Sequence, residues 1–453
     1  MTIMTGCMRP GVHAYPEELT SFIFEIWEDP FFLERLDAAG LGSPFKLPER
    51  PVLERIISTC YQASLLREEQ RPVRFRLIIR DPHFFPGEEG PPSGLHRFQF
   101  TRPRPFNEYE LYRLAPAADY YRTLIGVSLD PREGAQIWGM VHSGTRWMQA
   151  EYGGRKAFPP LPVCPVIYVT GPGQLSVGIG SETIASLTGG EINCPSLDVF
   201  TSQWLAESFA SVRSEIGELH RQARNQSGKQ WANLDPNFVR VLAQQVLRRI
   251  ISVIRSSHHG GTLVYLPPEL QNDILAENRY LSVKYQFSED EPRRRFRTLI
   301  LRIMNTFAEI LGDPSDPGKI IGWRDYVTCQ DERISLLDEA IFDVAHFIAA
   351  LSATDGAVVM TKRQELLGFG GVISGDVDKV ETVSHALDTE GTLTEAELSE
   401  GVGTRHRAAY TLCQELTDAV AIVISQDGNV RVIKSHNGSV TYWDQAPTGV
   451  PGF

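Results

Sequence analysis

A helix that runs directly into a buried strand is the sequence feature that most constrains the fold of this chain. Apolar residues recur at helical spacing from Ser335, which we expect to cap the helix, to about Ser352. The run at 358–360, Val-Val-Met, follows and is typical of a buried strand. Asp355-Gly356 stands between the two elements, so a carboxylate lies at the entrance of a strand. This order of elements predicts α/β structure in the C-terminal part of the chain.

The length and charge of the chain narrow the class of protein. At 453 residues it is too long for one ordinary core, so we expect two or three domains. Its net charge of −12 gives no general attraction to nucleic acid, and it contains no apolar run of about 18 residues that would predict a membrane span. The N-terminal residues lack the pattern of a secretory signal, and the six cysteines form no CxxC pair. These features favour a cytoplasmic protein without a structural zinc site or a disulfide framework.

Residues 1–195 are predicted to form a separate α+β domain. They are rich in proline and glycine, and an amphipathic pattern predicts a helix at 51–66. No catalytic constellation is visible in this half of the chain. Short alternating or apolar runs predict strands at 73–79, 123–128, 136–142, 165–170 and 174–179.

The middle of the chain is predicted to be helical. Residues 196–237 form an interrupted helical segment, and the strongest amphipathic pattern follows it at 238–254. Asn437-Gly438 is typical of a hairpin turn. Further expected elements are a helix at 293–311 and strands at 262–266, 419–424 and 429–434.

Asp355-Gly356-Ala357 is the first of two motifs that point to chemistry. A carboxylate at a strand entrance is well placed to bind Mg²⁺ or Mn²⁺, because hard cations prefer oxygen ligands. It could also accept a proton from a ribose hydroxyl. Gly356 removes side-chain bulk and lets a ligand approach the backbone. On its own, however, an Asp-Gly pair is more often simply a turn.

The second motif, Gly403-Thr404-Arg405-His406-Arg407, is more specific. Thr404 suits the N-cap of a helix, whose free N–H groups and dipole attract anions. Arg405 and Arg407 add bidentate donors for phosphate oxygens, and His406 can donate a further hydrogen bond. The alternative is a solvated basic helix start, which explains this dense cluster poorly.

A third segment, which contains Ser425 and Asp427, follows the predicted strand at 419–424. Ser425 and Asp427 would lie at the C-terminal end of that strand, where ligands collect in α/β sheets. A plain hairpin turn around Asp427-Gly428 explains the same residues equally well.

Taken in order, these segments resemble the diadenylate cyclase domain, which joins two ATP molecules into cyclic di-AMP. The resemblance covers roughly residues 238–440 and rests mainly on the DGA and GTRHRAA motifs. It implies a mixed β-sheet flanked by helices, preceded by a region that resembles the sensor domains of such cyclases. The predicted boundaries are therefore a sensor domain at 1–195, a helical connector at 196–237 and a cyclase domain at 238–445.

The resemblance also implies residue roles. Asp355 would bind the metal, Mg²⁺ or Mn²⁺, with Asp427, and would help to activate the attacking hydroxyl. Two domains would meet face to face in a homo-oligomer, each holding one ATP. Catalytic roles fall to Asp355, Arg405, His406 and Arg407. ATP would be bound by Gly356, Ala357, Gly403, Thr404, Arg405, Arg407 and Ser425.

Departures from the family keep an alternative open. Many members have two glutamates after the serine, where this chain has Gln426 and Asp427, and an aspartate is shorter than a glutamate. Two insertions, 268–330 and 376–400, flank the expected site, and the second is expected to be a surface insertion or lid. The rival function is a catalytically silent regulator that binds ATP or a cyclic nucleotide with the same fold. No membrane or nucleic-acid partner is expected, and the ligand of the sensor region is unknown.

Overall fold

The computed structural model of the chain describes residues 13–28, 46–88, 90, 94–120, 122–143, 164–179, 182–193, 198–257, 259–276, 280–373, 380–426 and 428–445. Its contacts divide the chain into two compact units. Of the described residues, those from 13 to 193 belong to the N-terminal unit and those from 198 to 445 belong to the C-terminal unit. The boundaries predicted at 195, 237 and 445 stay predictions.

The N-terminal unit is an α+β structure. Its helices are α1 (Pro16–Trp27), α2 (Arg50–Ser64) and α3 (Glu108–Leu114). Its strands are β1 (Arg67–Glu68), β2 (Arg71–Pro72), β3 (Phe75–Ile79), β4 (His96–Pro105), β5 (Thr123–Asp130), β6 (Gly134–His142), β7 (Pro165–Gly171), β8 (Gln174–Ile179), β9 (Glu182–Thr188) and β10 (Glu191–Asn193).

Eight of these strands form one sheet in the order β10-β9-β8-β7-β3-β5-β6-β4. Among the described strands of this sheet, β3 and β5 pair in parallel, at Leu77 and Ile125, and the other pairs are antiparallel. Helices α1 and α2 pack with the sheet in an apolar core. The predicted helix and the five predicted strands of this region are present. The ten-residue strand β4 was not predicted, because its two prolines argue against a central strand. It lies at the edge of the sheet, where a missing N–H costs no ladder hydrogen bond.

The C-terminal unit contains longer helices and a second large sheet. Its helices are α4 (Gln203–Ser208), α5 (Ala210–Ser227), α6 (Phe238–Ser256), α7 (Gln271–Leu275), α8 (Asp290–Ile310), α9 (Trp323–Thr328), α10 (Glu332–Leu351) and α11 (Thr404–Glu415). Its strands are β11 (Asn233–Leu234), β12 (Gly261–Leu266), β13 (Leu281–Gln286), β14 (Ile320–Ile321), β15 (Ala357–Thr361), β16 (Leu366–Ile373), β17 (Thr382–Ala386), β18 (Thr394–Leu398), β19 (Val420–Ile424), β20 (Val430–His436) and β21 (Ser439–Gln445).

Nine strands form the sheet of this unit, in the order β13-β16-β15-β12-β19-β20-β21-β17-β18. The pairs β12–β15 and β17–β21 are parallel and the other pairs are antiparallel, so the sheet is mixed. The predicted fold class is confirmed: a C-terminal mixed sheet flanked by helices follows an α+β region.

The two faces of this sheet carry different apolar layers. Side chains of successive strand residues point to opposite faces. Leu263 and Met360 accordingly pack with the long helices α6, α8 and α10, whereas Val264 and Val359 pack with α11. The central strands are buried on both sides, which is why they appear in the sequence as unbroken apolar runs.

Two details of the sequence prediction differ from the structure. Helix α10 begins one turn before Ser335, because Asp331 caps it by accepting a hydrogen bond from the Arg333 amide at 2.9 Å. The segment 376–400, expected to be a surface insertion or a lid, was not predicted to contain strands; its described residues 380–400 carry the hairpin β17–β18, which extends the sheet at its edge. Its alternating polar side chains suit an exposed edge strand and concealed its β character.

Candidate active site

The strands that carry the sequence motifs lie side by side. Thr262 of β12 pairs with Ala357 of β15 in parallel and with Val423 of β19 in antiparallel register. The starts of β12 and β15 and the end of β19 therefore share one end of the sheet. We call it the Asp355 end, formed by Gly260, Asp355-Gly356 and Ser425. Since neighbouring strands are about 4.8 Å apart, Asp355 and Ser425 are separated by roughly 10 Å across β12.

Gly356 is required by the backbone at this point. Its φ is +107°, and a Cβ there would lie 2.7 Å from the carbonyl carbon of Gly370 and 2.9 Å from the Gly371 nitrogen. The close passage of β16 leaves room only for glycine. Asp355 is exposed, and within the described residues its carboxylate has no ion pair or hydrogen bond. The carboxylate is thus held at a narrow strand entrance and is accessible to a cation or a hydroxyl.

Arg405 connects the second motif to the Asp355 end. Its Nη1 donates a hydrogen bond to the carbonyl oxygen of His259 at 3.0 Å. Gly260 follows with a φ of +64°, and a Cβ there would lie 2.6 Å from the Ile424 carbonyl oxygen and 2.9 Å from Nη1 of Arg405. The start of α11 is therefore held where β12 begins and β19 ends.

Helix α11 begins one residue away from the expected position. Gly403 is its N-cap, with no side-chain capping hydrogen bond, and Thr404 is its first residue rather than the cap. The Gly403 carbonyl accepts from the amides of His406 and Arg407, at 3.1 and 3.3 Å. Within the described part of the chain the amides of Thr404 and Arg405 donate to nothing, so they are available to an anion. Thr404 and Arg407 are exposed, and Ala409 is buried against the sheet.

His406 is a neutral imidazole at neutral pH. Burial lowers its pKa to about 4, and the positive charges of Arg431 and Arg405 act in the same direction. The side chain therefore offers a hydrogen bond rather than a positive charge.

Ser425 and Arg255 shape the third segment. The Ser425 Oγ accepts from the Asn429 amide at 3.0 Å, and the Ser425 amide donates to the Asn429 carbonyl at 2.9 Å. Arg255, in the last turn of α6, donates from Nε to the Gly428 carbonyl at 2.8 Å. Sequence analysis missed Arg255, although a basic residue in a helix's last turn was a visible signal. Asp427 lies outside the described residues.

A polar cluster behind α11 was also missed. The carboxylate of Asp444 lies 2.8 Å from Nε of Arg431 and 3.2 Å from Nε2 of His385. The Tyr442 hydroxyl donates a hydrogen bond to the Glu397 carboxylate at 2.7 Å. The hydrogen bond to Asp444 raises the pKa of His385. These residues come from β17, β18, β20 and β21, and only the fold brings them together.

The residues of the Asp355 end suit a divalent cation only in part. Among the described residues, no group of three His, Cys, Asp or Glu side chains could hold a metal. The exposed, unpaired carboxylate of Asp355 nevertheless fits a hard cation whose remaining ligands are phosphate oxygens and water. Within the same residues, no helix has the length and apolarity that crossing a membrane requires.

A helix start with free amides and an exposed carboxylate at one end of a mixed sheet are features that suit the binding of a nucleotide. Comparison with protein families agrees: residues 339–437 match the DAC family, described as DisA bacterial checkpoint controller nucleotide-binding. Residues 43–142 match the family described as probable sensor domain DACNV. In sequence order, the chain thus has a sensor domain of the DACNV family followed by a DAC-family domain, which confirms the resemblance found in the sequence. No curated protein matches the chain.

Proposed function

We propose that this protein is a diadenylate cyclase that condenses two ATP molecules into cyclic di-AMP and releases two pyrophosphates. Enzymes of the DAC family generally have this activity, and the matched residues 339–437 include both sequence motifs. One observation carries the proposal: the hydrogen bond from Arg405 to the His259 carbonyl. It joins the phosphate-binding helix start to the sheet end that presents Asp355.

The triphosphate would bind at the start of α11. The free amides of Thr404 and Arg405, the guanidinium groups of Arg405 and Arg407 and the Ser425 hydroxyl supply its donors. Gly356, Ala357 and Gly403 would line the nucleotide because they bring little side-chain bulk. His406, held neutral, would donate a hydrogen bond that strengthens as negative charge develops on the phosphate.

Asp355 would serve as a proton acceptor and as the protein ligand of Mg²⁺ or Mn²⁺. The 3′-hydroxyl oxygen of one ATP bonds to the α-phosphorus of the other, the bond to pyrophosphate breaks, and the hydroxyl proton passes to Asp355 or to water. The reverse pair then reacts in the same way. A bound divalent ion would neutralise charge on the phosphates. Asp427 is proposed as a second metal ligand.

Each domain offers one such site, so the reaction requires two domains face to face. The arrangement would supply much of the rate, because two bound ATP molecules are already in line for attack. We propose a homo-oligomer in which residues 1–195 sense a ligand and control this pairing, with 196–237 between them and the cyclase domain at 238–445.

Product analysis tests the proposal. The full-length protein is incubated with ATP and Mn²⁺ or Mg²⁺, and the products are identified by mass spectrometry. We expect cyclic di-AMP from the wild type and none from Asp355→Asn. Asp343→Asn is the matched control, since Asp343 is an exposed aspartate on α10 outside the Asp355 end.

Binding of ATP to the same proteins, measured by calorimetry, separates the alternatives. If the wild type binds ATP but makes no cyclic di-AMP with either metal, the protein is a silent nucleotide-binding regulator. If Asp355→Asn forms product at the wild-type rate, the role proposed for Asp355 is wrong.

A further inference from the structure

A second cleft lies within the C-terminal unit, away from the Asp355 end. It lies between α4, α5, α6, α8 and the turn that joins β15 to β16, and its space, with the adjoining open solvent included, is about 700 Å³. We call it the helix cavity. Its walls are apolar and include Leu205, Val212, Ile216, Val239, Leu247 and Ile300.

Five cationic side chains line this mainly apolar cavity: Arg213, Arg240, Arg297, Lys362 and Arg363. Two of them are neutralised by Glu215 on α5. The Arg363 Nε lies 2.7 Å from one of its carboxylate oxygens, and Arg297 pairs with the other. The other three cations have no carboxylate within ion-pair distance among the described residues.

Lys362 is the most buried of these three. It is only 8% exposed, and its Nζ lies 5.8 Å from the centroid of the Phe209 ring. The charged groups that face it are Lys434, Asp418 and Glu269, none close enough for an ion pair. Burial lowers its pKa to about 8, with Lys434 acting in the same direction. A buried ammonium without a counter-ion is costly, and a bound anion would offset that cost.

Arg213 and Arg240 add two like charges close to each other. The pKa of Arg213 is lowered by burial and by the positive charge of Arg240. Arg213 donates to the Ala206 carbonyl, whereas the Arg240 Nε is buried without a hydrogen-bond partner in the described residues. Like charges in a partly dry cleft repel, and an anion between them would relieve the repulsion.

The cavity is separate from the nucleotide site. Lys362 directly follows β15, whereas Asp355 precedes it, so the two residues are on opposite ends of one strand. At about 3.3 Å per residue this places them roughly 20 Å apart. A nucleotide bound at the Asp355 end does not occupy the helix cavity.

We propose that the helix cavity binds an organic anion with an aliphatic body, such as a medium-chain or long-chain carboxylate. The apolar walls take up the chain, and the cations without a carboxylate partner, the neighbouring Arg213 and Arg240 together with Lys362, supply the positive charge that attracts the carboxylate. A free inorganic anion would leave the walls unused, and an uncharged chain would leave the cations without a partner. This binding does not depend on the reaction at the Asp355 end.

Calorimetric titration of the full-length protein with dodecanoate, below its micellar concentration, tests the proposal. We expect one molecule per chain. Dodecanol and inorganic phosphate should each bind at least about 10-fold more weakly, since each makes only half of the contacts. Dodecyltrimethylammonium should not bind, because its charge meets three cations. Equal binding of the cationic and anionic chains would show mere adsorption to apolar surface and overturn the proposal.

Two variants assign the site. The double change Lys362→Met with Arg240→Gln should weaken dodecanoate binding by about 10- to 100-fold, because two charge-assisted contacts are lost. Arg324→Gln is the matched control: Arg324 is exposed on α9, does not line the cavity, and its variant should bind as the wild type does.

A filled cavity provides a check that does not depend on charge. Ala243 lines the cavity, and Ala243→Leu should reduce dodecanoate binding while the protein still melts cooperatively. Unchanged binding in both the double variant and Ala243→Leu would place the ligand elsewhere and reject this inference.

Discussion

The charged side chains at the two ends of strand β15 differ in their exposure to solvent. At the Asp355 end, a carboxylate is exposed, Arg405 is half-buried, and the backbone turns on glycines with positive φ. At the Lys362 end, a lysine is buried beside arginines over apolar walls. Exposed groups bind a highly charged ligand without a large desolvation cost, whereas buried cations remain costly until an anion arrives. One strand therefore joins a site suited to phosphates to a site suited to an amphipathic anion.

The largest effect is expected at the phosphate-binding side of this contrast. Arg405→Ala should reduce the rate of cyclic di-AMP formation by about 10²–10³-fold, because a donor to the developing phosphate charge is lost. Arg405→Lys should recover only part of the rate, since lysine lacks the bidentate geometry. Steady-state assays measure both. The control is Arg324→Gln on α9, and wild-type activity in Arg405→Ala would contradict the site.

The backbone of the Asp355 end can be tested separately. Gly356→Ala should lower the free energy of unfolding by about 2–4 kcal/mol, because a Cβ at φ +107° would press on Gly370. Gly217→Ala is the matched control: Gly217 lies within α5 with open space around it, so the change should stabilise by about 0.5–1 kcal/mol. Urea denaturation measures both changes. Equal stability of the two variants would refute the role given to this glycine.

At the opposite end, Lys362→Met should stabilise the ligand-free protein by roughly 1–3 kcal/mol at pH 7, since a buried charge is removed. The pKa of Lys362 is about 8 in the folded protein and lies below its ordinary value. The unfolded chain therefore binds more protons between about pH 8 and 10.5, and wild-type stability rises with pH across that window. The difference in the free energy of unfolding between Lys362→Met and the wild type should therefore become smaller across the same window.

Thermal or urea unfolding at pH 7, 9 and 10.5 measures this difference. Lys284→Met, at an exposed lysine of β13, is the control and should show no such pH dependence. If the difference in the free energy of unfolding between Lys362→Met and the wild type is constant across these pH values, the pKa of Lys362 is not lowered in the folded protein.

The smallest effect is expected at His406, in an acidic window. Its pKa of about 4 lies below the ordinary value, so the wild type loses stability as pH falls from about 6.5 to 4. His406→Gln should reduce this loss by about 1 kcal/mol, after allowance for solvent screening.

The pKa of His385 is shifted in the opposite direction to that of His406, so the two histidines should affect stability at acidic pH in opposite ways. The pKa of His385 is raised by Asp444, so its stabilisation is present below about pH 6.5 and is lost as pH rises through the folded pKa. His385→Gln should therefore destabilise the protein mainly at acidic pH. Unfolding curves from pH 4 to 8 measure both variants, and the same sign in the two would contradict the environments described here.

Much of the fold was accessible from the sequence, because strong periodicity decides the long elements. The helix at α6 and the strands β12, β15 and β19 follow from apolar patterning alone, and the Asn437-Gly438 turn follows from its residues with positive φ. Edge elements were not accessible. Strand β4 contains prolines and strand β18 contains alternating charged residues, so both sequences are typical of loops. Both strands are largely exposed to solvent, and no apolar core imposes a strand pattern on them.

The site was accessible only where motifs are contiguous. Asp355 and the 403–407 segment stand out as short strings of residues. Arg255, the His259 carbonyl and the Asp444 cluster act through residues distant in sequence, and strand order alone brings them near α11. The helix cavity likewise depends on how α5 and α6 pack, which no local pattern encodes.

The parallel pairing of β12 with β15 has a consequence for the time course of folding. Leu263 meets Val358 only after the intervening chain, with α7 to α10, has closed a very long loop. Pairings of this kind make folding slow, because the entropic cost of closure precedes the contacts that reward it. Because Gly260, Asp355, Arg405 and Ser425 meet only on the finished sheet, nucleotide-binding ability should appear late in refolding, after the helices have formed.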